Sequence, residues 1–157
     1  MMIFKMTLIA TGILFLANIC EAGVVPRFVS LKSNEVNLRT GPSKNYPIQW
    51  VIRNKGEPVE VITEFEQWRE IKDKDGDNGW VHESMLSGNR YVIITGDEVQ
   101  YLYRRADSDK KLARFEPGVR AKLLTCKEQR CYVSAEQHKG WIARDKVWGV
   151  YTHERFD

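Results

Sequence analysis

An internal repeat constrains this chain more than any other feature. Residues 27–38 (RFVSLKSNEVNL) lie over residues 90–101 (RYVIITGDEVQY) without a gap. Arg, an aromatic, Val, Glu and Val recur in register at an offset of 63, with Asn34 over Asp97. Gly56 then falls over Gly118 and Val61-Ile62-Thr63 over Leu123-Leu124-Thr125 at 62, and Gly79-Trp80-Val81 over Gly140-Trp141-Ile142 at 61. Three blocks in the same order, separated by single-residue slips, indicate a duplicated unit, and such a period must be explained before any local assignment. The 157 residues leave room for two modules of about 60 residues each.

Each unit reads as strands. Apolar residues alternate at Val59 and Val61 and at Val119, Ala121 and Leu123, between turn signals such as Gly41-Pro42, Lys55-Gly56, Asp75-Gly76 and Pro117-Gly118. About five short strands in some 60 residues suggest a small antiparallel barrel or sandwich, whose closure removes the edges so small a sheet would expose. Leu38 is expected to face inward while Asn37 and Arg39 face out. Gly41 is expected to take positive φ in the bend after the first repeat block, with Pro42 fixing its own. Gly79 should permit a close backbone approach, and the matched Trp80 and Trp141 are expected in the core.

The first 22 residues differ in kind: Lys5 gives a positive start, residues 6–19 are almost uncharged and apolar, and Cys20-Glu21-Ala22 ends on a small residue. This is the layout of a signal peptide cut after Ala22, too short for a spanning helix. The processed chain then keeps two cysteines, Cys126 and Cys131, in an oxidising compartment. In the repeat register they flank a four-residue hairpin loop, so a disulfide is expected between them. The net charge of +3 is too small to imply nucleic acid or stable membrane insertion after cleavage. It divides unevenly: residues 28–88 hold 8 basic and 10 acidic side chains, and residues 89–157 hold 14 and 10.

The ordered set Val36-Asn37-Leu38-Arg39-Thr40-Gly41-Pro42-Ser43, Tyr46-Pro47, Val51-Ile52, Lys55-Gly56, Val59-Glu60-Val61, Trp68 and Gly79-Trp80-Val81 resembles the bacterial SH3 domain, in the exported form found in Gram-negative bacteria. The resemblance covers nearly all of 28–88. In the second unit, 89–157, it is weaker: Leu102-Tyr103-Arg104-Arg105 replaces the Arg-x-Gly-Pro element, and Arg130 stands at the position of Trp68. It implies an all-β chain of two tandem SH3-like β-barrels. It also implies a shallow groove in the first module lined by aromatics among Tyr46, Trp50 and Trp68, residues that could equally be packed in the barrel. Residues that folding demands should persist in both copies, whereas those that serve a ligand need remain in one. By that difference Arg39, Tyr46 and Trp68 are the expected ligand-binding residues.

Other chemistry is weaker. Cys126, Cys131, His138 and His153 form a permitted zinc set, but their spacing is not that of a finger or knuckle. A Cys/His nucleophile needs an exposed thiolate, which a disulfide removes. Asp73, Asp75 and Asp77 around Gly76 lack the rest of a calcium loop. Arg104, Arg105, Lys110, Lys111, Arg114, Arg120 and Lys122, interleaved with Tyr101, Tyr103 and Phe115, could meet an anionic polymer or simply form a solvated surface. The expectation is an exported, non-catalytic binding module of the bacterial cell envelope, without cofactor, metal or catalytic residues, recognising peptidoglycan peptides or a periplasmic protein. The alternatives are an accessory or cryptic cell-wall hydrolase component and a secreted host-interaction protein.

Overall fold

Period-two alternation of buried and more exposed positions marks segments such as 36–39, 78–82 and 130–135 of the computed structural model, which describes residues 24–156. The expected signal peptide, residues 1–22, lies outside them. The first module comprises β1 (Arg27–Leu31), β2 (Val36–Arg39), β3 (Ile48–Ile52), β4 (Pro58–Phe65), β5 (Trp68–Lys72), β6 (Asn78–His82) and β7 (Leu86–Ser87). The second comprises β8 (Tyr91–Ile94), β9 (Gln100–Tyr103), β10 (Lys111–Phe115), β11 (Arg120–Cys126), β12 (Arg130–Ala135), β13 (His138–Ala143) and β14 (Val147–Trp148). Single 3-10 turns, Glu83–Met85 and Arg144–Lys146, link β6 to β7 and β13 to β14.

The sheets are antiparallel and ordered β3-β2-β6-β5-β4-β1-β7 and β10-β9-β13-β12-β11-β8-β14. The second order is the first with every strand advanced by seven, so the sequence repeat is a repeat of fold: two tandem SH3-like β-barrels. Even the irregularities recur. The ladder slips between Val61 and Thr63 in β4 and between Leu123 and Thr125 in β11, positions matched in the repeat. Such bulges increase local twist and bend the strand, as a closing sheet needs. Among the described residues no helix is long and apolar enough to cross a membrane.

Leu31, Val36, Leu38, Val59, Val61, Ile71 and Val81 form the first core. The second is larger, adding Phe115, Cys126, Cys131 and Ala135 to its Val, Leu and Ile residues. The expected disulfide is present, with Cα atoms 4.1 Å apart. Gly79 behaves as expected, and Gly140 does the same: a Cβ at Gly79 would stand 3.0 Å from Leu38 Cβ, and one at Gly140 2.8 Å from Leu102 Cβ and 3.0 Å from the Tyr103 oxygen.

Two expectations are corrected. Trp80 and Trp141 are half-buried and lie outside both cores. Gly79 and Val81 flank Trp80 and are buried, so alternation turns the indole to the opposite face of the strand. The offset of 63 also fails one strand early. Four residues separate β1 from β2, but five separate β8 from β9. Leu38 therefore corresponds to Leu102 and Arg39 to Tyr103, as the cross-strand pairs Arg39–Trp80 and Tyr103–Trp141 establish. Val36 is fully buried, whereas Val99 precedes β9 and is half-buried.

The modules pack on each other. Phe28 of β1 lies 5.0 Å from the Trp148 ring and 4.6 Å from that of Tyr151. The Arg90 guanidinium sits 5.8 Å from the Phe28 ring and 5.4 Å from that of Phe156. The Tyr151 hydroxyl donates to Glu60 Oε1 at 2.8 Å, and Arg120 pairs with Glu57 at 3.3 Å. Burial pushes the Glu60 carboxyl up, but hydrogen bonds from Lys72 and Tyr151 outweigh it and leave the group below its ordinary value. Glu57 is raised by burial despite Arg120. Burial and Glu60 together drive the Tyr151 hydroxyl far above its usual range.

Candidate functional site

The candidate site forms where β2 ends, β5 begins and β6 leads into its 3-10 turn. Outward positions of β2 carry Asn37 and Arg39, alternating with buried Val36 and Leu38. Past Arg39 the chain makes a loop closed by Thr40 N–H donating to the Pro47 oxygen at 3.1 Å. Arg39 holds this loop from within: its NH1 donates to the Lys44 oxygen at 3.1 Å and the Tyr46 oxygen at 2.8 Å. The expectation of positive φ at Gly41 is not met. The glycine is needed instead for space, because a Cβ there would stand 2.6 Å from the Tyr46 ring.

Trp68 opens β5 opposite Phe65 and His82. Its ring meets His82 edge-on, with centroids 5.5 Å apart. His82 Nδ1 accepts from Ser84 N–H at 3.3 Å and lies 2.8 Å from Ser84 Oγ, capping the turn that follows. These elements enclose a groove of about 300 Å³ whose lining includes Glu35, Asn37, Arg39, Lys44, Trp68 and His82.

Of the three expected ligand residues, the structure brings Arg39 and Trp68 into this groove. Tyr46 is 46% exposed but does not line it; its ring covers Gly41 and its carbonyl receives Arg39. Trp50, one of the other first-module aromatics, lies on β3 and is 51% exposed, so it is not packed inward. Glu35 and Lys44 were not singled out from the sequence, and His82 was weighed only as a histidine for a Cys/His nucleophile. For Glu35 the available signal was alternation, since it directly precedes β2 in phase with the outward Asn37 and Arg39.

The corresponding place in the second module is built with the parts exchanged. Tyr103 stands where the first module has Arg39, and Arg130 where it has Trp68. The Arg130 guanidinium lies 4.5 Å over the Tyr103 ring, and its NH1 donates to the Ser108 oxygen at 2.9 Å. Each module therefore has one arginine bracing this loop and one aromatic beside it, but from opposite strands.

The remaining expectations resolve locally. Asp73 Oδ1 accepts from Asp75 N–H at 3.0 Å and Asp77 N–H at 2.9 Å, making a self-satisfied hairpin turn. Both sulfurs of the proposed zinc set are in the disulfide. Among the described residues no group of three or more His, Cys, Asp or Glu could hold a metal. Of the basic residues, Arg120 is used between the modules and Lys111 lies 3.7 Å over the Tyr101 ring.

A family description, the bacterial SH3 domain, matches the chain twice, over residues 32–88 and 96–149. Comparison with curated proteins finds no match. Among solved structures, an NlpC/P60 family protein from Bacillus cereus is similar at 13% identity and a TM-score of 0.35, over 77% of this chain and 55% of that one. NlpC2 from Trichomonas vaginalis is similar at 10% identity and a TM-score of 0.37, over 82% of this chain and 50% of that one. The chain thus spans about half the length of each.

Proposed function

The chain belongs to the bacterial SH3 domain family, and from that membership we propose that it is an exported, non-catalytic binding protein of the bacterial cell envelope whose first module recognises the peptide portion of peptidoglycan. The observation that carries this reading is the groove between Arg39 and Trp68. Arg39 and Lys44 offer charge to carboxylates, Glu35 offers charge to an amine, and Trp68 supplies apolar area between them. A short peptide bearing free carboxylates, an amine and an aliphatic side chain satisfies all three. The volume of about 300 Å³ suits a few residues, not a folded partner. A binding role also agrees with the chemistry of the described cysteines, both of which are spent in a buried disulfide.

Incubating the processed protein with purified sacculi, in parallel with a periplasmic extract, tests the proposal. Retention on sacculi, reduced for Trp68→Ala, is the expected result. Retention only by a protein of the extract would replace the ligand, and wall-peptide cleavage by the purified protein would overturn the non-catalytic assignment.

A further inference from the structure

One end of each sheet is an open edge, formed by β3 in the first module and β10 in the second. Among the described residues β3 pairs only with β2 and β10 only with β9. The two edges share a backbone geometry, including a bulge. Leu38 stands opposite Trp50 and Arg39 opposite Ile48, just as Leu102 stands opposite Ala113 and Tyr103 opposite Lys111. Ile48, Trp50, Val51 and Ile52 therefore correspond to Lys111, Ala113, Arg114 and Phe115.

The chemistry of the two edges differs. In β10, Lys111 and Arg114 are exposed and put charge on the edge, which blunts it against pairing with another chain, while Phe115 is buried in the core. In β3 none of the five residues is buried, which holds for no other described strand longer than two residues. Ile48 is 48% exposed and Val51 42%, with Trp50 and Tyr46 beside them. No residue from Asn45 to Ile52 carries a charge. Since the second module builds the same edge from Lys, Ala and Arg, folding does not demand these apolar side chains. Contact with a partner accounts for them.

We propose that β3 is a pairing edge for a second copy of this chain, joined antiparallel about a two-fold axis. A partner strand has to be extended, apolar, uncharged and itself open along one edge, and β3 of another copy meets all four conditions. With the axis at Val51, in the regular stretch beyond the bulge, Trp50 stands against Ile52 of the second copy and Val51 against its own counterpart. No charge then faces the strand. A copy approaching through β10 fits worse, because Lys111 and Arg114 would lose water beside Trp50 and Val51. An anionic lipid surface fits worse as well: the first module holds 8 basic against 10 acidic side chains over 28–88, and Arg53 at the strand end is paired with Glu35 at 3.7 Å. Val51 lies opposite Asn37 of the groove. Pairing therefore runs two sheets together and brings two grooves onto one continuous face, whatever those grooves bind.

Sedimentation velocity of the processed protein from about 10 μM to about 1 mM tests the proposal, with amide hydrogen exchange measured at both ends of the range. A monomer–dimer equilibrium half-formed on the order of 100 μM is expected, the weak association of an interface below standard size. Exchange at residues 50–52 should slow as concentration rises. Val51→Lys, which puts charge where the second module has Arg114, should leave a monomer of unchanged melting temperature. Trp50→Ala should weaken dimerisation about tenfold, and decides the matter if Val51→Lys does not fold. Leu112→Lys on β10 should leave the dimer as it is. A monomer at every concentration would overturn the proposal, as would a dimer that survives Val51→Lys or one whose protection lies outside 48–52. Co-sedimentation with phosphatidylglycerol vesicles, lost in Val51→Lys while the free protein stays monomeric, would assign the strand to a lipid surface and overturn it too.

Discussion

Cys126 and Cys131 face each other across β11 and β12 at the register position that Glu64 and Arg69 occupy across β4 and β5. In the first module that place holds an ion pair, Arg69 Nε and Glu64 Oε1 lying 3.2 Å apart, extended by Arg27 and Glu83. In the second it holds a covalent bond sunk in the core. The two copies brace the same hairpin with different chemistry.

The first prediction concerns that brace. A cross-link closing so short a loop withdraws little entropy from the unfolded chain, giving about 2 kcal/mol. Reduction should lower the melting temperature by about 4–8 °C for a chain of this size, without loss of the folded state. Calorimetry with and without reductant checks it. An unchanged melting temperature would mean that packing of the two sulfurs, and not their bond, does the bracing.

The two close-approach glycines are expected to differ. Added Cβ atoms would stand 3.3 Å from the Arg39 oxygen at Gly79 but 3.0 Å from the Tyr103 oxygen at Gly140. A backbone oxygen cannot swing aside as a side chain can. Gly140→Ala should therefore cost more than Gly79→Ala, both within the roughly 1–3 kcal/mol of overpacking. Denaturant melts of the two variants compare them directly, and equal costs would show that the strands adjust freely.

Acid should weaken both the second module and its contact with the first. Glu60 and Glu154 are both held below the ordinary carboxylate value of 4.5, Glu154 because hydrogen bonds from Arg90 and the Tyr151 backbone outweigh its burial. A depressed folded value contributes stability that is complete above 4.5 and is lost as pH falls through it. Glu57, raised by burial, works in the opposite direction but is one group against two. Stability should thus decline below about pH 4.5, and Glu154→Gln should flatten that decline. On the alkaline side Tyr151, whose folded value is raised, contributes stability that is lost as pH climbs past 10.0. Tyr151→Phe should remove that loss. Melts across pH report both slopes.

The repeat made the architecture legible because the residues that recur are those the backbone depends on. Gly79 and Gly140 leave no room for a side chain, and the Val61 and Leu123 strands carry the same bulge. The disulfide was legible because its two cysteines lie across a four-residue loop. Side-chain direction was legible where alternation was followed, as at Leu38 and Arg39, and was misread at Trp80, where recurrence in both copies was taken as a sign of burial. The extra residue before β9 was not legible, since Val36 and Val99 match in type while differing in role. That slip hid the correspondence of Arg39 with Tyr103 and made the two modules look more divergent than they are. Tyr46 illustrates a further limit: an exposed aromatic beside a loop gives no sign in sequence that its ring covers a glycine instead of facing a groove.

The exchange of arginine and aromatic between modules supplies the sharpest test of the groove. Arg39 and Trp68 in the first module correspond to Tyr103 and Arg130 in the second, and Arg130 reaches loop oxygens from the β12 side as Arg39 does from β2. The double substitution Arg39→Tyr with Trp68→Arg therefore rebuilds in the first module an arrangement the same chain already folds. Its stability should stay within about 1 kcal/mol of wild type, because the loop regains an arginine and the arginine regains a ring. Trp68→Arg alone places two guanidiniums in one groove and should cost more. Retention on sacculi should fall in the double variant, since the Trp68 surface is gone although the fold is intact. A stable double variant that is retained as strongly as wild type would move the ligand site away from this groove, while loss of stability with unchanged affinity of the folded fraction would make Arg39 and Trp68 structural residues.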